Sequence, residues 1–457
     1  MRLRSLLQSN QLLVRLIIFS YALHLFSSCR TTTSGESNSS KPLDENASPN
    51  PESQISPPFA LGESEDGMKW ELRLNRMQCA HPDKPTTWCA ESDRPAATAL
   101  SGIEPTLISW IEDPAVTSVK ITYMTFSSSK VAKALCDQAT NRGLSVDVYL
   151  QRDYVEPPTA ATGAYKTLVD CAAQVATFRV HGRGTDQWLN HAKIFLIERG
   201  DRLRFTSSSA NLSSSGVSLH YDNWLLIDAP TTHPLSQQNL CYFGALDGMK
   251  NPQGIPDKGL FMNLWKTCSA GIRLEPGAKT RFIGVPAAQG MERPLETLLG
   301  LIDGAQHTIR IAAHKITATS SMPIASRLAA KIAQGISVQV VFDDDTILKA
   351  LNLPGSQSLN VSAEEIAGYQ ILSDAGAELT FADTNEQLGL LMHNKYVIVD
   401  DTIMFTGAGN FSKASLTGKN TEQFYVSTEP ALVSAYVKGW TELRSWAKDK
   451  IHFSGAQ

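Results

Sequence analysis

The sequence predicts an α/β protein made of two tandem, similarly folded halves. Three observations carry this. Residues 117–152 and 307–343 follow one plan of strand, polar loop, helix, Gly turn and strand. A His-x-Lys pair introduces an apolar run twice, at His191 and Lys193 and again at His393 and Lys395. Each run then returns through a second strand to an asparagine, Asn211 or Asn410. Self-similarity of this kind fixes architecture, because each copy must bury the same faces.

Local patterning supplies the elements. Apolar residues alternate in "VKITYM" and in "IRIAA", as half-buried strands require. Helical spacing follows in "KVAKALCDQA" and "IASRLAAKIA", and Gly143 and Gly335 stop those helices. Strand, helix, strand units of this length demand parallel pairing through right-handed crossovers, so each half is expected to be an α/β/α sandwich. The halves are placed at residues 66–275 and 276–457. In a regular strand the His and Lys of each pair would share a face. An imidazole beside an ammonium implies an anion in front of both, since unpaired charge is costly where water is scarce.

Residues 1–28 differ from the rest. Arg2 and Arg4 precede a mostly apolar stretch that ends "LFSSC", the pattern of a secretory signal, with Arg15 spoiling it as a membrane span. The ending resembles a bacterial lipoprotein signal, which would make Cys29 a lipid anchor. Residues 29–65, rich in Ser, Asn, Pro and Thr, are read as a flexible linker. The chain is thus expected to be exported and held at a membrane of the bacterial envelope, or secreted, and to act as a monomer. Against 45 acidic residues stand 41 Lys and Arg, a net charge of −4, which is not the basic surplus of a non-specific nucleic-acid binder. Besides Cys29 there are six cysteines, Cys79, Cys89, Cys136, Cys171, Cys241 and Cys268. An even number in an exported chain predicts disulfides; Cys79 with Cys89 is the first pair to try, and the spacings form no zinc pattern.

The second copy, His393-x-Lys395-x4-Asp400-x6-Gly407-x2-Asn410, resembles the HKD motif of the phospholipase D superfamily, and "GNFSKASLTGKNTEQF" resembles the segment that follows it there. The first copy departs from it, with Glu198 in place of Asp, Ser208 and Ser209 in place of Gly and Ser, and Asp201 as a rival acidic residue. Ala408 replaces the usual Ser of the second. The resemblance implies that the two halves pack face to face around one shared active site and carry out phosphodiester chemistry through a phosphohistidine. His191 would be the nucleophile and His393 the general acid and base, with Lys193, Lys395, Asn211 and Asn410 on the phosphate oxygens, and neither metal nor cofactor. It also implies that Asp222, Asn223, Asn420 or Glu422 buttresses the histidine of the opposite half. Ser209 and Gly407 are supporting positions.

Glu198 and Asp400 lie an odd number of residues from their histidines, so a regular strand turns them away from the His/Lys face and toward a structural role. The serines of "FTSSSANLSSSG" are read as hydroxyl donors to phosphate, His181, His220 and His307 as structural or exposed residues, and His314, after a strand, as a loop histidine with a place facing the cleft as its alternative. Trp188 is read as a core aromatic. The expected substrate is phospholipid at a membrane surface, cleaved to phosphatidic acid. The alternatives are a cardiolipin synthase-like transphosphatidylase, a secreted endonuclease acting on nucleic acid, and a binding protein that has lost turnover.

Overall fold

The computed structural model describes residues 56–75, 94–156, 162–273, 277–352, 359–382, 384 and 390–447. Residues 1–28, read above as a signal, Cys29 and most of residues 29–65, read as a linker, and Cys79 and Cys89 lie outside these. Residues 54–457 form one compact unit.

Among the described residues, fifteen strands make two mixed sheets. In the first, β1 (Ala60–Glu63), β2 (Lys69–Leu74), β3 (Val116–Tyr123), β4 (Ser145–Gln151), β5 (Phe178–Arg183), β6 (Ile194–Arg199), β7 (Arg202–Ser208) and β8 (Asn223–Pro230) take the order β1-β2-β8-β7-β6-β3-β4-β5. The second holds β9 (Thr280–Val285), β10 (Thr308–Ala313), β11 (Ser337–Asp343), β12 (Glu378–Ala382), β13 (Lys395–Val399), β14 (Ile403–Gly407) and β15 (Glu422–Ser427), in the order β12-β11-β10-β13-β14-β15-β9. The orders match strand for strand, with β2 and β9 in equivalent places and β1 as the addition. β3, β4 and β5 pair in parallel, as do β10, β11 and β12. The rest of each sheet is antiparallel, because β6–β8 and β13–β15 connect without a crossover helix. Gly143, at φ 71°, ends helix Ser129–Arg142 where the sequence places the stop.

The apolar runs are continuous because both faces are buried. Along β6, Ile194 and Leu196 enter a central core, while Phe195 and Ile197 enter an outer one beneath helices Ile103–Glu112, Ser129–Arg142 and Gly163–Gln174. Along β13, Tyr396 and Ile398 join that same central core, and Val397 and Val399 face the outer core of the second half. The two sheets therefore pack face to face through one central layer, which also takes in residues of helices Pro234–Gly248, Lys258–Ser269 and Pro430–Trp446.

Disulfides join Cys136 to Cys171 and Cys241 to Cys268. The first ties helix Ser129–Arg142 to Gly163–Gln174 and the second ties Pro234–Gly248 to Lys258–Ser269. In the loop-entropy picture, closing loops of this length stabilises by roughly 3–4 kcal/mol each. No helix of the described residues is long and apolar enough to cross a membrane.

Candidate active site

Both His/Lys pairs sit at the ends of their strands, where the two halves exchange backbone bonds. His191 lies before β6 and donates its backbone N–H to Thr421 O at 3.0 Å; His393 lies before β13 and donates to Tyr221 O at 2.8 Å. The segment just ahead of each histidine is held by the last residue of a neighbouring parallel strand. The Gln151 side chain accepts from Asn190 N–H at 2.8 Å, and the Asp343 carboxylate accepts from Met392 N–H at 2.7 Å.

Each imidazole is then gripped across the interface. His191 Nδ1 lies 2.8 Å from Glu422 Oε2, and His393 Nδ1 lies 3.1 Å from Asp222 Oδ1. Both carboxylates are fully buried. A carboxylate on Nδ1 makes that nitrogen the donor, so the lone pair falls on Nε2, the tautomer that this network assigns. Glu422 and Asp222 are thus the buttressing residues among the four sequence candidates. Asn420 reaches Leu189 N–H with Oδ1, and Asn223 donates to Thr406 and Tyr436.

The departures between the two motifs have a structural reason. Ser209 Oγ donates to Asp222 at 2.6 Å and accepts Asn223 N–H at 3.0 Å, so it supports the shorter carboxylate. Where Ser209 stands in the first half the second has Ala408, and there the buttress is Glu422, one methylene longer. Ser208 donates to Ala210 O at 3.0 Å. These two hydroxyls serve the protein and not a phosphate, which corrects the reading of the Ser-rich run. Gly407 allows β15 to approach, because a Cβ there would lie 2.3 Å from Gln423 O.

The acidic motif residues stand away from the histidines. Glu198 is on β6 and pairs with Lys120 at 2.7 Å. Asp400, in a left-handed turn at φ 50°, accepts N–H bonds from Gln306, His307 and Thr308 at 2.7–2.8 Å. It caps the entry to β10, a structural task that also lowers its pKa. Asp201 is exposed, on the turn between β6 and β7.

Lys193 Nζ lies 3.2 Å from both ring nitrogens of His191 and donates to His191 O at 2.8 Å. Lys395 donates to His393 O. Burial pushes both ammonium groups down, Lys193 to about 8 and Lys395 well below the usual lysine range. Burial, with the two lysines adding to it, also lowers His191 and His393, which keeps both imidazoles neutral near pH 7. Asn211 and Asn410 each have a buried side-chain Oδ1 with no hydrogen-bond partner among the described residues, and turning either amide over about its last torsion puts its NH2 donor in that place. The site can therefore take an anion on two ammonium groups and two amides, with two Nε2 atoms to form and break bonds to it.

Two groups among the described residues come close enough to share a cation, His220 with Asp222 and His393, and Asp343 with Asp344 and Asp345. The first lies in the field of both lysines, which favours an anion.

Two further histidines stand at the site, His314 in the rarer of its two readings and His220 against its reading as structural or exposed. His314 and His220 lie beside His393, with ring centroids 5.1 and 5.9 Å from it. No motif marks either one, because the loop ends that bring them together are far apart in the chain. Trp188 is buried in the central core, as expected.

The family model described as "Cardiolipin synthase, PLD-like domain" matches residues 108–246 and 298–443, more than half of the chain. This protein belongs to that family and is a phosphodiesterase or phosphoryl-transfer enzyme of the phospholipase D superfamily. Among solved structures, a phosphatidylserine synthase from Haemophilus influenzae Rd KW20 is similar at 13% identity and TM-score 0.56, over 78% of this chain and 87% of that one. That likeness extends over both halves and shows the same fold. NUC from Salmonella typhimurium, a phospholipase D family member, is 26% identical over 38% of this chain and 98% of its own, with TM-score 0.30. A polyphosphate kinase from Porphyromonas gingivalis is 14% identical over 78% of this chain and 48% of that chain, with TM-score 0.48. No curated protein matches.

The low pKa of Lys193 gives the site an alkaline limit. The ammonium binds phosphate below its pKa of about 8 and is lost above it, so kcat/KM is expected to fall as pH rises through about 8. Replacing both Lys193 and Lys395 by Arg, which stays charged throughout, should move that limb upward. A pH-rate profile of both proteins checks this, and an alkaline limb that does not move contradicts it.

Proposed function

We propose that this protein hydrolyses the headgroup phosphodiester of phospholipids, releasing the alcohol and leaving phosphatidic acid. The observation that carries the reading is the crossed pair of contacts, His191 with Glu422 and His393 with Asp222, which aims an Nε2 from each half at one anion site.

A phosphodiester repels nucleophiles, so the catalyst must bind the non-bridging oxygens best when phosphorus is five-coordinate. Lys193 and Lys395 supply that charge, and Asn211 and Asn410 supply donors. His191 Nε2 attacks phosphorus while His393 gives its proton to the departing alkoxide. Bound phosphate raises the proton affinity of His393, which the empty site holds low. His393 then takes a proton from water, whose oxygen displaces His191 from phosphorus. Glu422 and Asp222 steady the imidazolium charge that appears on each ring in turn.

The lipid assignment rests on position. A lipidated Cys29 with a flexible linker would hold the domain where phospholipid is concentrated, and the disulfides Cys136–Cys171 and Cys241–Cys268 suit an oxidising compartment. The protein is expected to release headgroup from mixed phospholipid bilayers, with turnover unchanged by chelator because the lysines carry the charge. Loss of turnover on chelation, restored by a divalent cation, would contradict the lysine assignment. Cleavage of plasmid DNA with no headgroup release would replace lipid by nucleic acid as substrate.

A further inference from the structure

We propose that His314, with His220 also beside His393, forms an alcohol subsite. There the hydroxyl of the departing alcohol, and afterwards of an acceptor alcohol, is held beside His393. The inference rests on the phosphohistidine reading above and names what the His393 side of the site recognises.

The two halves differ at this point. His314 and Met124 are equivalent, each directly after a central strand and two residues before a bridge to the segment that follows the motif asparagine, Ile316 with Phe411 and Phe126 with Leu212. A thioether offers no donor and only a weak acceptor, whereas an imidazole offers both. The His314 ring stands 5.1 Å from that of His393, tilted at 56°, and the His220 ring stands 5.9 Å away at 60°. His220 Nδ1 is itself 3.7 Å from Asp222 Oδ2, the buttress of His393.

His314 is fixed in place. Its backbone N–H donates to Asn394 O at 3.1 Å, Lys315 is paired with Glu365 at 3.2 Å, and Ile316 bridges to Phe411. The residue is 9% exposed, yet its Nδ1 has no hydrogen-bond partner among the described residues. A buried polar nitrogen left without a partner is destabilising, and a bound group at Nδ1 would remove that cost. Burial, with His393 and Lys395 nearby, keeps the ring neutral, so it adds no charge toward phosphate. A neutral ring with one donor and one acceptor matches a hydroxyl.

In the transfer step the alcohol oxygen bonds to phosphorus as the bond from phosphorus to His191 Nε2 breaks. The hydroxyl proton passes to His393, and the freed electron pair returns to His191. Water follows the same course without needing His314, so the subsite sets the ratio of transfer to hydrolysis.

The test uses bis(p-nitrophenyl) phosphate as donor and glycerol as acceptor. Nitrophenolate departs without a proton, so the intermediate forms whatever the alcohol subsite does. The unsubstituted protein is expected to yield p-nitrophenyl glyceryl phosphate beside the hydrolysis product. His314→Met should lower the ratio of the two products by about tenfold, the value of one lost hydrogen bond. His314→Asn, whose amide can stand near the Nδ1 position, should restore part of that ratio. General damage to the site would lower both products together and leave their ratio unmoved. No transfer product from the unsubstituted protein, or an unmoved ratio in His314→Met, overturns the proposal. Because the donor is not a phospholipid, the result is independent of headgroup release.

Discussion

Replacing either motif histidine by alanine is expected to lower headgroup release by about 10⁴-fold or more, since each removes a group that makes or breaks a covalent or proton bond in both steps. The effects should not multiply in the double variant, because the residues act as one unit. Folding is the necessary control. His191→Ala leaves the buried Glu422 carboxylate without its Nδ1 partner, at a cost of about 1–3 kcal/mol. His191→Asn is the cleaner variant, because its amide can still donate to Glu422 while nothing replaces Nε2. Equal inactivity of the two, with the asparagine variant melting closer to the unsubstituted protein, is the expected result. Retained release in either would contradict the two-histidine site.

Glu422→Gln is expected to lower kcat by roughly 10²- to 10⁴-fold, the range seen when a buried carboxylate that fixes a catalytic imidazole is neutralised. The side chain keeps its shape and loses the charge that selects the Nδ1–H tautomer of His191. Asp222→Asn should act on His393 in the same way. Timing separates the two with a nitrophenyl diester, which needs no general acid to leave. Glu422→Gln should slow the first burst of nitrophenolate, and Asp222→Asn should slow the steady state that follows it. Rapid-mixing traces that show the same step slowed in both variants would contradict the crossed assignment.

Much of this was legible in the residues. Two His-x-Lys pairs, each returning to an asparagine, carried the repeat, and the strand, helix, Gly, strand plan carried the matching halves of the two sheets. The acidic motif positions were turned away from the site by parity alone, and Asp400 indeed caps β10. Other features depend on how the halves meet. Glu422 and Asp222 serve histidines that lie 231 and 171 residues away, a relation that local spacing does not encode. The same holds for His314 and His220, which look like ordinary loop histidines until the strand ends bring them around His393. Ser209 resembled a phosphate donor because its run of serines leads into the motif residue Asn211; only the packing shows its hydroxyl turned to Asp222.

The central claim is that His191 of one half carries the phosphoryl group while His393 of the other moves the protons. Its most direct test is His393→Ala mixed with bis(p-nitrophenyl) phosphate, quenched in alkali and mapped by mass spectrometry. One equivalent of nitrophenolate is expected, with a phosphoryl adduct on the peptide containing His191, stalled for want of a base. No burst, or an adduct on any other residue, would contradict it.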